Sequence, residues 1–205
     1  MKKSYVIGLS GGSGSGKTTF LKDLCQKFST SELAVLTQDN YYKPRHEQKE
    51  DENGVINFDV PEAIDVKRFA NDLKELKNGN SIQKEEYTFN NSAKEAAMIE
   101  VRSSPVIVTE GLFVFHCKEI AELLDYKIFF YADPQIRLDR RIKRDQIERG
   151  YPASDVNYRW RHHVRPADLK YLDPYQNTCD LEIRNNIDFN KELVHLEELI
   201  RSKLA

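Results

Sequence analysis

Long apolar runs are missing from this chain. No stretch of its 205 residues approaches the roughly 20 apolar residues of a bilayer-spanning helix, which excludes a helical membrane protein. The apolar run after Met1-Lys2-Lys3-Ser4 is cut by glycine too early for a signal sequence, so a cytoplasmic protein with no membrane partner is expected. An excess of one charge is missing too. The net charge is −2 and no basic run stands out, which argues against a dedicated nucleic-acid binder. Cysteine is scarce. Cys25, Cys117 and Cys179 are odd in number and form no C-x-x-C pair, so neither zinc nor redox chemistry is suggested, and the three read as small buried hydrophobes. No internal repeat or low-complexity tract occurs. With 40% hydrophobic residues the chain can bury a full core, and residues 1–205 read as a single domain with small elaborations.

What the chain does have is Gly8-Leu9-Ser10-Gly11-Gly12-Ser13-Gly14-Ser15-Gly16-Lys17-Thr18-Thr19, directly after the apolar run Tyr5-Val6-Ile7. Gly11 through Thr18 satisfies G-x-x-x-x-G-K-[ST] between a candidate buried strand and a candidate helix, Gly16–Phe28. Glycines let the main chain curl so that successive N–H groups form an anion nest, and the helix adds its N-terminal partial positive charge. Gly11, Gly12, Ser13, Gly14, Ser15, Gly16, Lys17, Thr18 and Thr19 are therefore the candidate cradle for a nucleotide phosphate chain. Lys17 is expected to reach the β- and γ-phosphates, and the Thr18 hydroxyl to bind the Mg²⁺ they carry. A flexible Gly/Ser linker would have no reason to carry Gly-Lys-Thr-Thr followed by apolar residues at helical spacing.

Along the chain, short β-rich runs alternate with helical patterns, which predicts an α/β fold with a parallel five-stranded sheet covered by helices on both faces. Ser4–Leu9, Glu32–Thr37, Pro105–Thr109, Tyr126–Tyr131 and Cys179–Arg184 are the strands. Ile64, Phe69, Leu73 and Leu76 keep helical spacing, and Leu193, Leu196, Leu199 and Ile200 give a terminal helix its apolar face. Ser81–Thr88 and Ala97–Arg102 read as a small antiparallel flap over residues 81–102, although Ala93–Met98 equally suits the start of a helix. His46 to Gly54 reads as an exposed loop. After Pro134, a helix carrying several arginines leads to Gly150-Tyr151-Pro152, and Ser154 or Asp155 is the expected cap of the next helix, which runs to about Leu169.

Glu110 ends the cleanest central strand, in the crevice where open α/β sheets bind ligands, and there it could hold Mg²⁺ directly or through water. Asp39 closes the second strand, faces the same crevice, and is placed to accept a proton from a substrate hydroxyl; read alone it equally suits an Asx turn. Asp59 could accept hydrogen bonds from paired sugar hydroxyls or cap a helix ahead of Pro61. Arg137, Arg140, Arg141 and Arg144 recur at i, i+3, i+4 and i+7 and so share one helix side. Such cations suit the oxygens of a transferring phosphoryl group, with residues of about 141–157 as a mobile lid. Interleaved Asp139, Asp145 and Glu148 allow the plainer reading of a solvated salt-bridged face.

These segments together resemble the uridine kinase (uridine-cytidine kinase) family. The resemblance rests on Gly-Gly-Ser-Gly-Ser-Gly-Lys-Thr-Thr, Gln38-Asp39-Asn40-Tyr41-Tyr42, Asn57-Phe58-Asp59-Val60-Pro61-Glu62-Ala63, Glu110-Gly111 and Arg140-Arg141-Ile142-Lys143-Arg144-Asp145 through Glu148-Arg149-Gly150, in order and spacing along nearly the whole chain. It implies a P-loop kinase fold and transfer of a phosphoryl group from ATP or GTP to a nucleoside 5′-hydroxyl. By residue, it implies Asp39 as base, Thr18 and Glu110 around Mg²⁺, and Arg144 and Arg149 near the phosphates. Asp59 and Arg141 would meet the ribose and Tyr87 the base, with Tyr42, Phe58, Tyr151 and Arg159 also lining the acceptor site. Three positions depart from the family pattern. Ser92 stands where the family has histidine, Tyr151 where it usually has arginine, and Arg159 where it has glutamine. All three lie on the substrate side, so kinases of the same fold acting on phosphoribulose, pantothenate or nicotinamide riboside remain competing readings. A GTPase-type switch is a third, but the guanine-reading Asn-Lys-x-Asp segment it needs is absent. The flap offers a free edge to a second copy of the chain.

Overall fold

The computed structural model describes residues 3–85 and 97–205. β1 (Tyr5–Gly11) runs into the glycine-rich turn and then α1 (Lys17–Cys25). β2 (Leu33–Thr37) ends in a 3-10 turn over Gln38–Tyr41, and α2 (Val66–Lys77) starts after the long loop that follows. β3 (Ile82–Glu85) and β4 (Met98–Val101) pair antiparallel as a separate two-stranded sheet. Next come β5 (Val106–Glu110), α3 (Lys118–Ala121), β6 (Tyr126–Tyr131) and α4 (Pro134–Glu148). α5 (Ala153–Arg159) continues through a π turn (Trp160–Val164), α6 (Arg165–Ala167) and a second π turn (Asp168–Leu172). β7 (Leu181–Arg184) and α7 (Asn190–Leu204) end the chain.

The main sheet is fully parallel in the order β2-β5-β1-β6-β7, as the alternation of apolar runs and helices predicts. Period-two alternation splits its side chains between two cores. Val6, Ile107 and Phe129 pack with Phe69, Leu73, Leu76 and Ile120 under α2 and α3. Ile7, Leu9, Val106, Val108, Ile128 and Phe130 pack with Phe20, Leu24, Leu196 and Ile200 under α1 and α7. Both faces of the inner strands are therefore apolar, and their runs lack polar alternation for that reason. Local signals fix the helix starts. The Asp65 carboxylate accepts from the Arg68 N–H at 3.1 Å to cap α2, and Pro134 opens α4, where no intrahelical N–H is needed.

Register decides what reaches the carboxyl edge. Leu9 of β1 and Thr37 of β2 both lie opposite Glu110 of β5. The glycine-rich turn, Glu110 and Gln38-Asp39 are thus brought side by side by neighbouring strands. Gly111 must be glycine here, because a Cβ would collide with Gln38, whose Oε1 accepts from the Phe113 N–H at 3.0 Å.

Several expectations need correction. Asp39 sits in the 3-10 turn just past β2 rather than closing the strand. Neither Ser154 nor Asp155 caps α5. Pro152 is the N-cap, and its carbonyl accepts from the Asp155 and Val156 N–H groups, so the helix begins before either residue can cap it. Of the cysteines only Cys117 is buried. Cys25 is exposed because the inward positions of α1 are taken by Phe20, Leu21 and Leu24, and Cys179 is half-buried. Met98 opens β4, while residues 93–96 of the helical alternative lie outside the described residues. Among the described residues, no helix is long and apolar enough to cross a membrane.

Leu36 is fully buried in β2 against the α2-side core. Leu36→Ala is expected to cost about 3 kcal/mol and so to lower the thermal midpoint by roughly 6–12 °C. Thermal denaturation followed by circular dichroism checks this.

Candidate functional site

The glycine-rich turn is held from behind. Gly11, Gly14 and Gly16 take φ values of +144°, +82° and +103°, a region that side chains resist. A Cβ on Gly12 would strike the Arg137 guanidinium, and one on Gly14 would lie 2.6 Å from the Arg137 carbonyl oxygen. The contact is a brace. Arg137 Nε donates to the Ser13 carbonyl at 3.0 Å, and its guanidinium is fixed by Asp168 at 2.9 Å and by the Trp160 ring at 5.2 Å. Asn185, just past β7, donates to the Ser15 carbonyl at 2.9 Å. Lys17 Nζ donates to the Gly11 and Gly12 carbonyls at 2.7 and 3.4 Å. With these carbonyls engaged by the protein, the turn offers its N–H groups, and α1 begins at Gly16 with no side-chain cap on its first amides. Thr18 and Thr19 are exposed on that first turn.

Beside the turn, three charged groups share the cleft. Lys17 is buried, which lowers its pKa, while Glu110 and Asp39 oppose the shift. Glu110 is buried and pushed up to about 7 by desolvation, with Lys17 opposing and Asp39 adding to the rise. Asp39 is half-buried and also raised by desolvation, against the pull of Lys17, Arg149 and Arg144. Lys17 of the glycine-rich turn, Asp39 and the arginine segment are therefore within electrostatic reach of one another.

The arginine helix divides its cations between two jobs. Arg137 and Arg140 face the glycine-rich turn, Arg140 donating to the Asn185 carbonyl at 3.0 Å. Arg141, Arg144 and Arg149 converge on Asp145, at 3.3, 2.8 and 3.5 Å. Asp145 is buried, so the plainer expectation of a solvated face does not hold at this position. Sequence reasoning passed over its role, although its i±4 spacing from Arg141 and Arg149 was there to read. Asn185 left no such local mark, since it meets the Ser15 carbonyl from a distant element, and Asp168 has a local partner in Arg165 but meets Arg137 from 31 positions away.

Of the acceptor-side residues, Asp59 is buried with Arg141 Nη1 at 3.9 Å, and the Tyr42 and Phe58 rings meet edge-on at 5.8 Å. Arg159 lies over the Tyr151 ring at 5.8 Å, but its Nη1 donates to the Ile56 carbonyl at 2.9 Å and its Nε to Asp155 at 3.4 Å. Tyr87 and Ser92 lie outside the described residues. A separate groove of about 360 Å³ opens beside Gly16 and Thr19 and is bordered by Arg140, Asn185, Asp188 and Phe189. Among the described residues, no group of three or more His, Cys, Asp or Glu side chains could hold a metal ion. A phosphate-borne Mg²⁺ needs no such group, since it takes one or two protein ligands and keeps the phosphates and waters for the rest. An exposed Thr18 hydroxyl and a buried Glu110 fit that donor set.

Two outcomes follow from these charges. Asp145→Asn leaves three guanidinium groups without their shared carboxylate and is expected to cost about 3 kcal/mol, read as a lower denaturant midpoint. Because Glu110 is raised, the folded state holds a proton that the unfolded chain releases at lower pH. Its contribution to stability is present near the ordinary carboxylate range and is lost as pH rises through about 7. Glu110→Gln is expected to flatten that slope in a thermal-midpoint series across pH.

Comparison with known proteins agrees with this geometry. The model of the phosphoribulokinase / uridine kinase family matches residues 6–189. A uridine kinase of Brevibacillus brevis is 34% identical over 183 residues, 89% of this chain and 86% of the relative. A uridine kinase of Clostridium botulinum is 32% identical over 205 residues, 98% of this chain and 100% of the relative. Among solved structures, one described as a possible uridine kinase from Bacillus stearothermophilus superposes with a TM-score of 0.61 at 19% identity, covering 89% of each chain, which supports the fold. A P-loop kinase fold, a braced phosphate cradle and relatives matched along nearly their whole length lead to one conclusion: the chain belongs to the phosphoribulokinase / uridine kinase family.

Proposed function

We propose that this protein is a cytoplasmic ATP-dependent nucleoside kinase that transfers the γ-phosphoryl group to the 5′-hydroxyl of a nucleoside, with uridine and cytidine the first acceptors to test. The observation that carries this reading is the grouping of Asp39 with Lys17, Arg144 and Arg149 in one electrostatic pocket at the mouth of the glycine-rich turn. A hydrolase or switch also needs the phosphate cradle and can use a carboxylate beside it, so the half-buried Asp39 supports transfer to a substrate hydroxyl only together with the acceptor class. Relatives named uridine kinase along nearly the full chain supply the acceptor class.

In this reading the amides of Gly11 to Thr19 and Lys17 hold the phosphate chain, and the donor base occupies the groove beside Arg140 and Asp188. Thr18 and Glu110 are the residues that would hold Mg²⁺, which would supply charge neutralisation to the phosphates. Asp59 and Arg141 receive the ribose hydroxyls beside the Tyr42–Phe58 wall. Asp39 orients the 5′-hydroxyl and takes its proton late in an in-line displacement. Burial raises the Asp39 pKa and makes its carboxylate a stronger base, against the pull of Lys17, Arg149 and Arg144. Arg144 and Arg149, in the lid of about 141–157, stabilise charge on the transferring group.

A wider acceptor range has one observation in its favour. Arg159 spends two of its donors on Ile56 and Asp155, which leaves less of it for reading a base. A thermal-shift series with a non-hydrolysable ATP analogue and uridine, cytidine, nicotinamide riboside or pantothenate separates the acceptors, since a ligand at 100 times its Kd stabilises by about 2.7 kcal/mol.

Lys17→Ala is expected to abolish turnover. Asp39→Asn is expected to leave the KM for ATP nearly intact while lowering kcat by roughly 10²-fold or more. An Asp39→Asn enzyme with wild-type kcat would remove Asp39 from the chemistry, and a wild-type enzyme inert toward all four acceptors would sink the nucleoside reading.

A further inference from the structure

The polar loop between Asp39 and Asp59 is tied down at three levels. At its base, Tyr42 pairs antiparallel with Ile64, and the Lys43 N–H donates to the Ala63 carbonyl at 2.9 Å. Midway, Gln48 Nε2 bridges the Lys43 and Ala63 carbonyls at 2.8 and 3.0 Å, and the Asn57 N–H donates to the Lys49 carbonyl at 3.0 Å. At the tip, Glu50 pairs with Ile56 around a turn in which Gly54 takes a φ of +74°. The sequence reading of an exposed loop describes its surface and misses this framework.

Asp51 joins the tip to the rest of the protein. Its Oδ1 accepts from the Asn53 and Val55 N–H groups, both at 2.9 Å, which closes the turn. Its Oδ2 accepts from the Tyr158 hydroxyl at 2.8 Å and lies 2.7 Å from Nε2 of His163, whose side chain is 1% exposed. Tyr158 in turn accepts from Asn53 Nδ2 at 2.7 Å, and its ring stacks on His162 at 4.4 Å. One carboxylate therefore spends one oxygen on the loop and the other on the helix. Arg159, next to Tyr158, adds its bond to Ile56, and Asp59 lies three residues beyond Ile56 with Arg141 beside it.

A polar loop of this length would otherwise sample many conformations, and ordering it at the moment of substrate binding would weaken the affinity. We propose that Asp51 is a positioning residue for acceptor binding: through Tyr158 and His163 it seats the loop bearing Phe58 and Asp59 on the helix that leads out of the arginine cluster. The acceptor wall and the phosphate-side arginines then form one body, set before the acceptor arrives. The inference rests on the nucleoside-kinase reading for its substrate but not for its geometry.

The test uses the full chain, ATP, and uridine or cytidine as acceptor. Asp51→Asn keeps an oxygen for the turn amides and loses the charge shared with the helix, while Tyr158→Phe keeps the ring and loses only the hydroxyl. Each is expected to raise the acceptor KM about tenfold, with kcat and the KM for ATP within about twofold of wild type. The double variant is expected to be no worse than the weaker single one, since both break the same link. Hydrogen exchange across residues 45–59 is expected to quicken in both variants without any substrate. Unchanged acceptor KM, parallel rises in both KM values, or unchanged exchange would each overturn the proposal. Should the wild type phosphorylate neither nucleoside, the functional reading fails and the exchange result alone decides whether Asp51 anchors the loop.

Discussion

The curl of main chain between β1 and α1 constrains everything around it. Three glycines at positive φ allow the curl, but they also make it the least self-supporting segment of the sheet edge. Its rigidity is borrowed. Arg137 reaches the Ser13 carbonyl from α4, and Asn185 reaches the Ser15 carbonyl from beyond β7. Arg137 is itself pinned by Asp168, which Arg165 also binds at 3.0 Å. A buried ion pair of this kind adds little net stability because desolvation offsets attraction. Its return lies in geometry, since carbonyls turned outward leave amides turned inward.

The same edge concentrates charge that a folded protein would ordinarily avoid. Lys17, Asp39 and Glu110 are drawn together by strand register, and burial pushes all three toward neutrality. Such destabilised groups are characteristic of sites where charge must later be met by a ligand. A nucleotide phosphate chain with its cation supplies charge of both signs, and the arginines on Asp145 supply more from the opposite side. Asp145 gives those arginines a common anchor, so their positions depend on one carboxylate rather than on three flexible side chains.

The side proposed for the acceptor is built differently. There the chain uses a long loop, stiffened by hydrogen bonds from Gln48, Asn57 and Asp51, instead of regular strands. Backbone bonds within the loop set its shape, and side-chain bonds to α5 set where it sits. Burial raises the Cys117 thiol to about 11, which leaves little of it as the reactive thiolate at neutral pH.

Much of this was readable along the chain because it is local. The spacing of Gly11 to Thr18, the apolar runs of both cores and the acidic end of β5 at Glu110 each depend on residues close in sequence, and period alone divides the sheet between its faces. What stayed hidden is pairing across distance. Asp51 is one more polar loop residue in the sequence, yet Nε2 of His163, 112 positions away, lies 2.7 Å from its carboxylate. Arg159, expected at the substrate, also donates to the carbonyl of Ile56, 103 positions away. Periodicity reveals which face of an element is apolar, but a carboxylate reads the same whether solvent or a side chain from a distant element will meet it, and only folding selects that partner.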